Sequence, residues 1–133
     1  EDVITVDFPD IPLDGLTSGN RFQDVCLVGD KAVLVPYWSY LPHLLIYNLT
    51  TRGVTSVDVS KFSEETAVHP FKAVCAIDNK IVLAPYDSNN LVVYDTVTEQ
   101  LKGVDISAIA VGEHKFGAVC ALGDQVIAAP HDA

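Results

Sequence analysis

The sequence has no methionine, only one tryptophan and no long apolar run. Runs such as 32–35 and 91–94 fall far short of the roughly 20 apolar residues that a membrane-spanning helix needs. No stretch sustains the 3.6-residue apolar period of an amphipathic helix. The chain begins with Glu1 and has no charged-then-apolar leader, so we expect either a mature product or a piece of a longer protein. Short strands remain as the main elements.

Positive charge is also scarce. Only 8 Lys or Arg stand against 18 Asp or Glu, which gives a formal net charge of −10. An acidic surface of this kind repels nucleic acid phosphates and anionic lipid headgroups. We therefore expect no nucleic acid partner and no membrane insertion. The D-x-D-x-D pattern of a calcium loop is absent as well.

Motifs that would signal catalysis are missing. The chain has no Gly-rich phosphate loop, no G-x-S-x-G element to hold a nucleophile on a strained turn, and no C-x-x-C pair. Its four histidines do not have the spacing of a recognisable metal site. We therefore expect no catalytic residue, no metal and no cofactor, and we predict that these residues are not an enzyme.

What the sequence does contain is a segment that occurs two and a half times. FQDVCLVGDKAVLVPY at 22–37 recurs as FKAVCAIDNKIVLAPY at 71–86 and as FGAVCALGDQVIAAPH at 116–131. The starting phenylalanines lie 49 and then 45 residues apart. A repeat of this length, built from short apolar runs, predicts stacked antiparallel sheets and therefore a β-propeller.

Each repeat resolves into four strands. The second strand is a continuous apolar run that ends at a proline, which predicts a strand covered on both faces and terminated where a backbone N–H is lost. Gly-Asp or Asp-Asn pairs predict tight hairpins between the first two strands. The predicted strands are 25–28, 74–77 and 119–122 (first), 32–35, 81–84 and 126–129 (second), 44–47 and 91–94 (third), and 5–8, 56–59 and 103–106 (fourth).

The predicted fold is all-β, a partial β-propeller of antiparallel four-stranded blades. Two blades are complete and partial blades stand at both ends. The division is 1–21 for the outer strand of a preceding blade and a linker, 22–60 for the first complete blade, 61–70 for a linker, 71–107 for the second complete blade, and 108–133 for a linker and the inner hairpin of a truncated third blade.

Cys26, Cys75 and Cys120 fall at one repeat position. Equivalent positions in packed sheets lie ~10 Å apart, whereas the Cα atoms of a disulfide lie within about 7 Å. We therefore expect three small buried apolar residues and no disulfide.

The complete repeat resembles a kelch-type propeller blade. The pattern V-C-A-x-x-x-K-I-V-L at 74–83 gives the inner hairpin, and the residues at 91–95 with Thr98 give the third strand and turn, v-Y-D-x-x-T. Pro85 and Tyr86 stand where that family has paired glycines, and its tryptophan after the turn is absent. The resemblance implies a propeller, a fold that serves mostly as a binding scaffold and in some proteins as an enzyme.

Polar and aromatic residues gather in the loops after the second strands, which we expect to open on one face together with links that carry His69, Glu113 and His114. Aromatic rings beside carboxylates and amides suit a sugar ring or a peptide. The alternative is that the aromatic residues at one repeat position only cap each blade, although Trp38 has no repeat counterpart. The predicted ligand-binding residues are Tyr37, Trp38, Tyr86, Asp87, Asn89, His131 and Asp132.

Asn48-Leu49-Thr50 is an N-glycosylation acceptor sequence. It lies in the predicted turn between the third and fourth strands, at the outer rim. A glycan on Asn48 would favour a secreted protein; buried cysteines fit either redox compartment.

Three functions fit these features. The first is a non-enzymatic structural or protein-interaction module that further blades or self-association complete. The alternative is a lectin-like propeller that binds carbohydrate or peptide through the loops after the second strands. The third is a segment of a propeller enzyme whose catalytic groups lie in other sequence.

Overall fold

The computed structural model of the protein describes residues 22–36, 42–63 and 67–132. These residues form two four-stranded antiparallel sheets and one two-stranded sheet, so the prediction of an all-β partial propeller is confirmed. The predicted strand at 5–8 lies outside the described residues. None of the helical segments in the described ranges has the length and apolar character needed to cross a membrane.

Each sheet is a meander in which every strand pairs with the next one along the chain. We call the three sheets blade 1, blade 2 and blade 3. Blade 1 comprises β1 (Phe22–Val28), β2 (Lys31–Pro36), β3 (His43–Asn48) and β4 (Val54–Asp58); blade 2 comprises β5 (Phe71–Ile77), β6 (Lys80–Pro85), β7 (Asn90–Asp95) and β8 (Leu101–Asp105); blade 3 comprises β9 (Phe116–Leu122) and β10 (Gln125–Pro130).

The inner hairpin of each blade closes through a two-residue turn, as predicted. Gly29, Asp78 and Gly123 adopt positive φ values of 57°, 52° and 60°. Glycine reaches this region without a steric cost, and aspartate is one of the few other residues that tolerate it. At the other end of each hairpin the repeat phenylalanine pairs with the repeat proline across a register irregularity. The repeat therefore encodes both ends of its inner hairpin.

Alternation along the strands gives each blade two apolar faces. We define the leading face as the one that carries the repeat cysteine and the trailing face as the opposite one. On blade 1, Val33 lies opposite Cys26 on the leading face, and Leu34 lies opposite Val25 on the trailing face. On blade 2, the trailing face carries the pair Val74 and Leu83.

The main core lies between the leading face of blade 1 and the trailing face of blade 2. Val33, Val35 and Leu44 from blade 1 meet Ile81 and Leu83 from blade 2, and all five side chains are fully buried. Burying one such side chain stabilises the fold by about 1.5–3 kcal/mol. The apolar contact between sheets therefore holds successive blades together.

The three cysteines differ in burial although they share a repeat position. Cys75 is buried, Cys26 is half-buried and Cys120 is exposed, and all three are free thiols. The expectation that all are buried is wrong for Cys120, because no described sheet covers the leading face of blade 3. Burial raises the pKa of Cys26 to about 11, with a smaller contribution from the neighbouring Cys75, and burial likewise raises the pKa of Cys75.

In its described part, the link between blades 1 and 2 contains a 3-10 turn, η1 (Ser60–Phe62). Ser88 Oγ donates a hydrogen bond to the backbone O of Phe62 at 2.6 Å. The Phe62 ring lies against Gly103 of β8, where an added Cβ would overlap the ring. The link is therefore packed against the outer strand of blade 2.

Candidate functional site

The ends of the second strands meet the links that enter the first strands. The Tyr86 N–H donates to Pro70 O at 2.9 Å, and the Lys115 N–H donates to Tyr86 O at 2.8 Å. In blade 3 the His131 N–H donates to Lys115 O at 2.8 Å and the Asp132 N–H donates to His114 O at 2.9 Å. The loops after the second strands of blades 2 and 3 therefore meet the links at one end of these two sheets.

Asp87 ties two links together through its carboxylate. Its Oδ2 accepts the backbone N–H of His69 at 2.8 Å, and its Oδ1 accepts that of His114 at 3.2 Å. His69 belongs to the link into blade 2, whereas His114 belongs to the link into blade 3. The Asp87 side chain is only 6% exposed. Hydrogen bonds from N–H groups to an ionised carboxylate are stronger than neutral ones, so this residue clamps blade 3 to blade 2.

Lys115 completes the clamp from the other side. Its side chain is fully buried, and its Nζ donates to Asp87 O at 3.1 Å. A buried ammonium group requires such acceptors, because it has lost its hydration. Lys115 is absent from the predicted site, although the sequence holds a signal for it: a cation precedes the repeat phenylalanine at Arg21 and at Lys115.

An aromatic cluster lies beside the clamp. The Tyr86 ring stacks on His114 with centroids 4.7 Å apart and planes at 24°, and it meets the edge of His131 at 5.4 Å. Lys72 Nζ lies 4.4 Å from the centroid of the Tyr86 ring. Lys72 is likewise absent from the predicted site. Tyr86 is itself buried, whereas the His114 and His131 side chains are 43% and 42% exposed.

Asp132 occupies the same repeat position as Asp87 in a more open environment. Its Oδ2 lies 3.3 Å from His114 Nδ1, and its Oδ1 lies 3.1 Å from His131 Nδ1. The Asp132 side chain is 58% exposed. The arrangement leaves a carboxylate, two imidazole rings and a tyrosine ring close together at the end of blade 3.

Four predicted ligand-binding residues therefore come together: Tyr86, Asp87, His131 and Asp132. Asn89 is half-exposed, and its backbone O accepts the Ile106 N–H at 2.9 Å, at the end of the outer strands of blade 2. Tyr37 and Trp38 lie outside the described residues. Ligand binding by these residues stays a prediction. Within 22–36, 42–63 and 67–132, no group of three or more His, Cys, Asp or Glu is arranged to hold a metal ion.

Asn48 lies at the outer rim, where it caps the turn after β3. Its Oδ1 accepts the N–H groups of Thr50 and Thr51 at 2.9 and 2.8 Å. Asp95 does the same in blade 2 by accepting the N–H groups of Val97 and Thr98, and these bonds lower the Asp95 pKa. This cap gives a structural reason for the aspartate of the Y-D-x-x-T pattern. Glycosylation of Asn48 stays a prediction.

A cleft of about 230 Å³ lies near this rim, between blades 1 and 2. Lys31 lines the cleft and crosses to blade 2, where its Nζ donates to Thr96 O at 3.1 Å. Asn48 lines the same cleft. The residues that line the cleft are different from those that form the aromatic cluster.

No protein-family model matches the chain, and no curated protein matches it by sequence. Solved structures that are similar in fold include the following two. The extracellular domain of a putative hybrid two-component system from B. thetaiotaomicron aligns with a TM-score of 0.56 and 12% identity over 88% of this chain. Hydrazine synthase from Kuenenia stuttgartiensis aligns with a TM-score of 0.54 and 14% identity over 81% of this chain. At these identities the similarity concerns the fold alone. The chain spans only 14% and 29% of the lengths of these two proteins.

The clamp predicts a specific loss of stability. Asp87→Ala leaves the N–H groups of His69 and His114 without their acceptor, and we expect the free energy of unfolding to fall by about 1.5–3 kcal/mol. Urea unfolding followed by circular dichroism measures this change. Asp124→Ala, at an exposed hairpin turn, removes the same charge and should change stability by less than about 0.5 kcal/mol. Equal losses in the two variants would contradict the clamp.

Proposed function

We propose that this chain is a non-enzymatic structural and protein-interaction module of the β-propeller type, completed by further blades or by other copies of itself. The observation that carries the proposal is an uncovered apolar face at each end of the described sheets. Val25 and Leu27 on the trailing face of blade 1 are 56% and 64% exposed. On the leading face of blade 3, Leu122 and Ile127 are 65% and 49% exposed.

The same faces are buried where a neighbouring blade covers them. Val74 occupies the repeat position of Val25 and is 6% exposed, because blade 1 packs against it. Cys75 occupies the repeat position of Cys120 and is buried, since blade 3 follows it. Large contiguous apolar patches are uncommon on isolated soluble proteins and mark interaction sites. Both open faces therefore have the character of surfaces that receive another sheet.

The resemblance to kelch blades supports the same class of function. We infer that blade 2 is a kelch-like blade, with Tyr94 and Asp95 as its third-strand signature and Asp95 capping its turn. Blades of that kind build mostly binding scaffolds, although fold alone does not determine function.

A charge placed on one open face tests the proposal. Leu122→Glu puts a carboxylate into the surface that has to lose its water when another sheet packs there, so we expect self-association to be lost. Sedimentation velocity over a range of protein concentrations measures it. Val97→Glu is the matched control, because Val97 is 71% exposed but lies in the turn after β7, away from both faces. Equal association of the two variants would contradict completion by other copies of the chain, and a wild-type chain that stays monomeric at every concentration would restrict the proposal to completion by further blades.

Carbohydrate or peptide binding is the second candidate, and the cluster of Tyr86, His114, His131 and Asp132 favours it. The partly exposed imidazole rings offer aromatic faces, and the carboxylate offers hydrogen-bond acceptors for hydroxyl groups. Calorimetric titration with a panel of oligosaccharides should then give binding that His131→Ala weakens about fivefold or more, since a lost aromatic contact is worth about 1 kcal/mol. Val97→Ala should bind normally. No heat with any saccharide would remove the carbohydrate form of this candidate.

A further inference from the structure

Blade 3 is buried far less than the blades before it. No residue of β9 or β10 is buried, whereas five of the six residues of β6 are. The main core lies between blades 1 and 2, and blade 3 contributes no residue to it. Segments with few buried apolar contacts open at a lower free energy than the rest of a fold. The described residues therefore divide into a well-packed pair of blades and a weakly packed hairpin.

The hairpin of blade 3 is hydrogen-bonded to the end of its own link. The His131 N–H donates to Lys115 O at 2.8 Å, and the Asp132 N–H donates to His114 O at 2.9 Å. These bonds lie at the end of the hairpin where Phe116 pairs with Pro130. Blade 3 and the link residues 114–115 therefore form one unit.

The same two link residues attach this unit to blade 2. The His114 N–H donates to the Asp87 carboxylate at 3.2 Å. Lys115 donates to Tyr86 O through its N–H at 2.8 Å, and to Asp87 O through its Nζ at 3.1 Å. His114 has a φ of 56°, in the left-handed region that is costly for a residue with a side chain. Release of one two-residue segment would therefore break these bonds and relax the backbone of His114.

A hinge lies just before that segment. The link is anchored to blade 2 as far as Ala110, since the Ala110 N–H donates to Ile106 O and the Ile106 N–H donates to Asn89 O. Ile106 and Ala110 are both buried. By contrast, Val111 is 80% exposed, and Gly112 has a φ of 88° with open space where a Cβ would stand. Hinges are short segments of this kind that absorb a large change in φ and ψ.

The surface that blade 3 covers is the leading face of blade 2. Cys75 and Val82 lie opposite each other on this face, and both are buried. Opening of blade 3 would expose them to water, which keeps the closed state favoured. Opening would also part Tyr86 from the rings of His114 and His131, which contact it in the closed state.

We propose that residues 114–132 form a flap that opens from blade 2 as one unit about the hinge at 111–113, while blades 1 and 2 stay folded. The inference concerns a movement within one copy of the chain and is independent of the proposed function. One consequence is that a ligand that contacts His131 and blade 2 together binds the closed state alone and shifts the population toward it.

Native-state hydrogen exchange at increasing urea concentration measures the opening. A detached two-stranded hairpin is marginally stable in water, so its amides exchange when the flap opens. We expect the amides of β9 and β10 to exchange at a lower free energy than those of β2 and β3. Their exchange should also depend less steeply on urea, because opening of the flap exposes less surface than global unfolding. Equal free energies and equal urea slopes in the two sets would overturn the flap.

Alkylation of Cys75 distinguishes a flap from a hairpin that frays in place. Opening of the whole unit exposes Cys75, so its labelling rate, divided by the rate in the unfolded chain, should give the same opening free energy as the exchange of β9 and β10. Labelling at the free energy of β2 and β3 would mean that blade 3 stays seated, and the proposal would then be wrong. Both measurements use dilute protein, so that association between copies does not contribute.

Three variants identify what the flap depends on. Lys115→Ala removes the Nζ bond to Asp87 O and a fully buried side chain, so exchange of β9 and β10 and labelling of Cys75 should accelerate about tenfold or more. Val35→Ala weakens the contact between blades 1 and 2, which is the same in the closed and open states. It should accelerate exchange of β2 and β3 about tenfold and leave the flap rates unchanged. Lys102→Ala removes an exposed lysine of β8 and should change none of these rates.

The variants give outcomes that decide the proposal. Equal acceleration of the flap and of β2 and β3 by Val35→Ala would mean that the chain opens only as a whole, which overturns the flap. Unchanged rates in Lys115→Ala would overturn the attachment assigned to residues 114–115. Neither outcome bears on the proposed function, which Leu122→Glu tests separately.

Discussion

A blade of this protein has two apolar faces, and each is stable only when another sheet removes it from water. Within the described residues this condition is met between blades 1 and 2, where Val33, Val35, Ile81 and Leu83 are fully buried. The arrangement of successive sheets depends on contacts of this kind. The second strands are apolar throughout because both of their faces are to be covered. The repeat cysteine lies on the leading face and is buried at Cys75, which blade 3 covers.

Apolar contact alone does not specify how successive blades are aligned, and polar groups at the sheet ends supply that information. Lys31 reaches Thr96 O at the outer rim, and Asp87 holds the links at the opposite end. Hydrogen bonds of this kind contribute modestly to stability but are directional. The clamp therefore acts on the alignment of blade 3 with blade 2, while burial supplies most of the stabilisation.

The repeat makes much of this fold predictable. The hairpin turns at 29–30, 78–79 and 123–124 and the order of four strands follow from glycine, aspartate and proline at fixed repeat positions. Burial does not follow from repeat position, since Cys26, Cys75 and Cys120 have similar neighbours in sequence but different neighbouring sheets. Fourth strands also begin earlier than predicted, at Val54 and Leu101, because pairing with the third strand extends through residues that carry no continuous apolar signal.

The candidate site is predictable only in part, for a physical reason. Tyr86, Asp87, His131 and Asp132 share loop positions that repeat reasoning brings together. The roles of Lys72 and Lys115 depend on distances between strands and links, which the repeat pattern does not encode. Repeat position predicts Asp87 as a ligand-binding group in an open loop, yet its carboxylate is engaged by two backbone N–H groups. A short repeat thus predicts where polar residues gather. It predicts less well which of these residues remain exposed to solvent.

The central claim is that the leading face of blade 3 receives another blade, and the exposed thiol of Cys120 reports on that face directly. Pulsed alkylation with iodoacetamide at pH 8, read for each cysteine by mass spectrometry, should be repeated over a range of protein concentrations. Cys26 serves as the slow internal reference, because a pKa of about 11 leaves roughly one thiol in a thousand ionised at this pH. We expect the Cys120 rate to fall as concentration rises, while the Cys26 and Cys75 rates stay constant. A Cys120 rate that is independent of concentration would contradict the docking of another copy of the chain on this face.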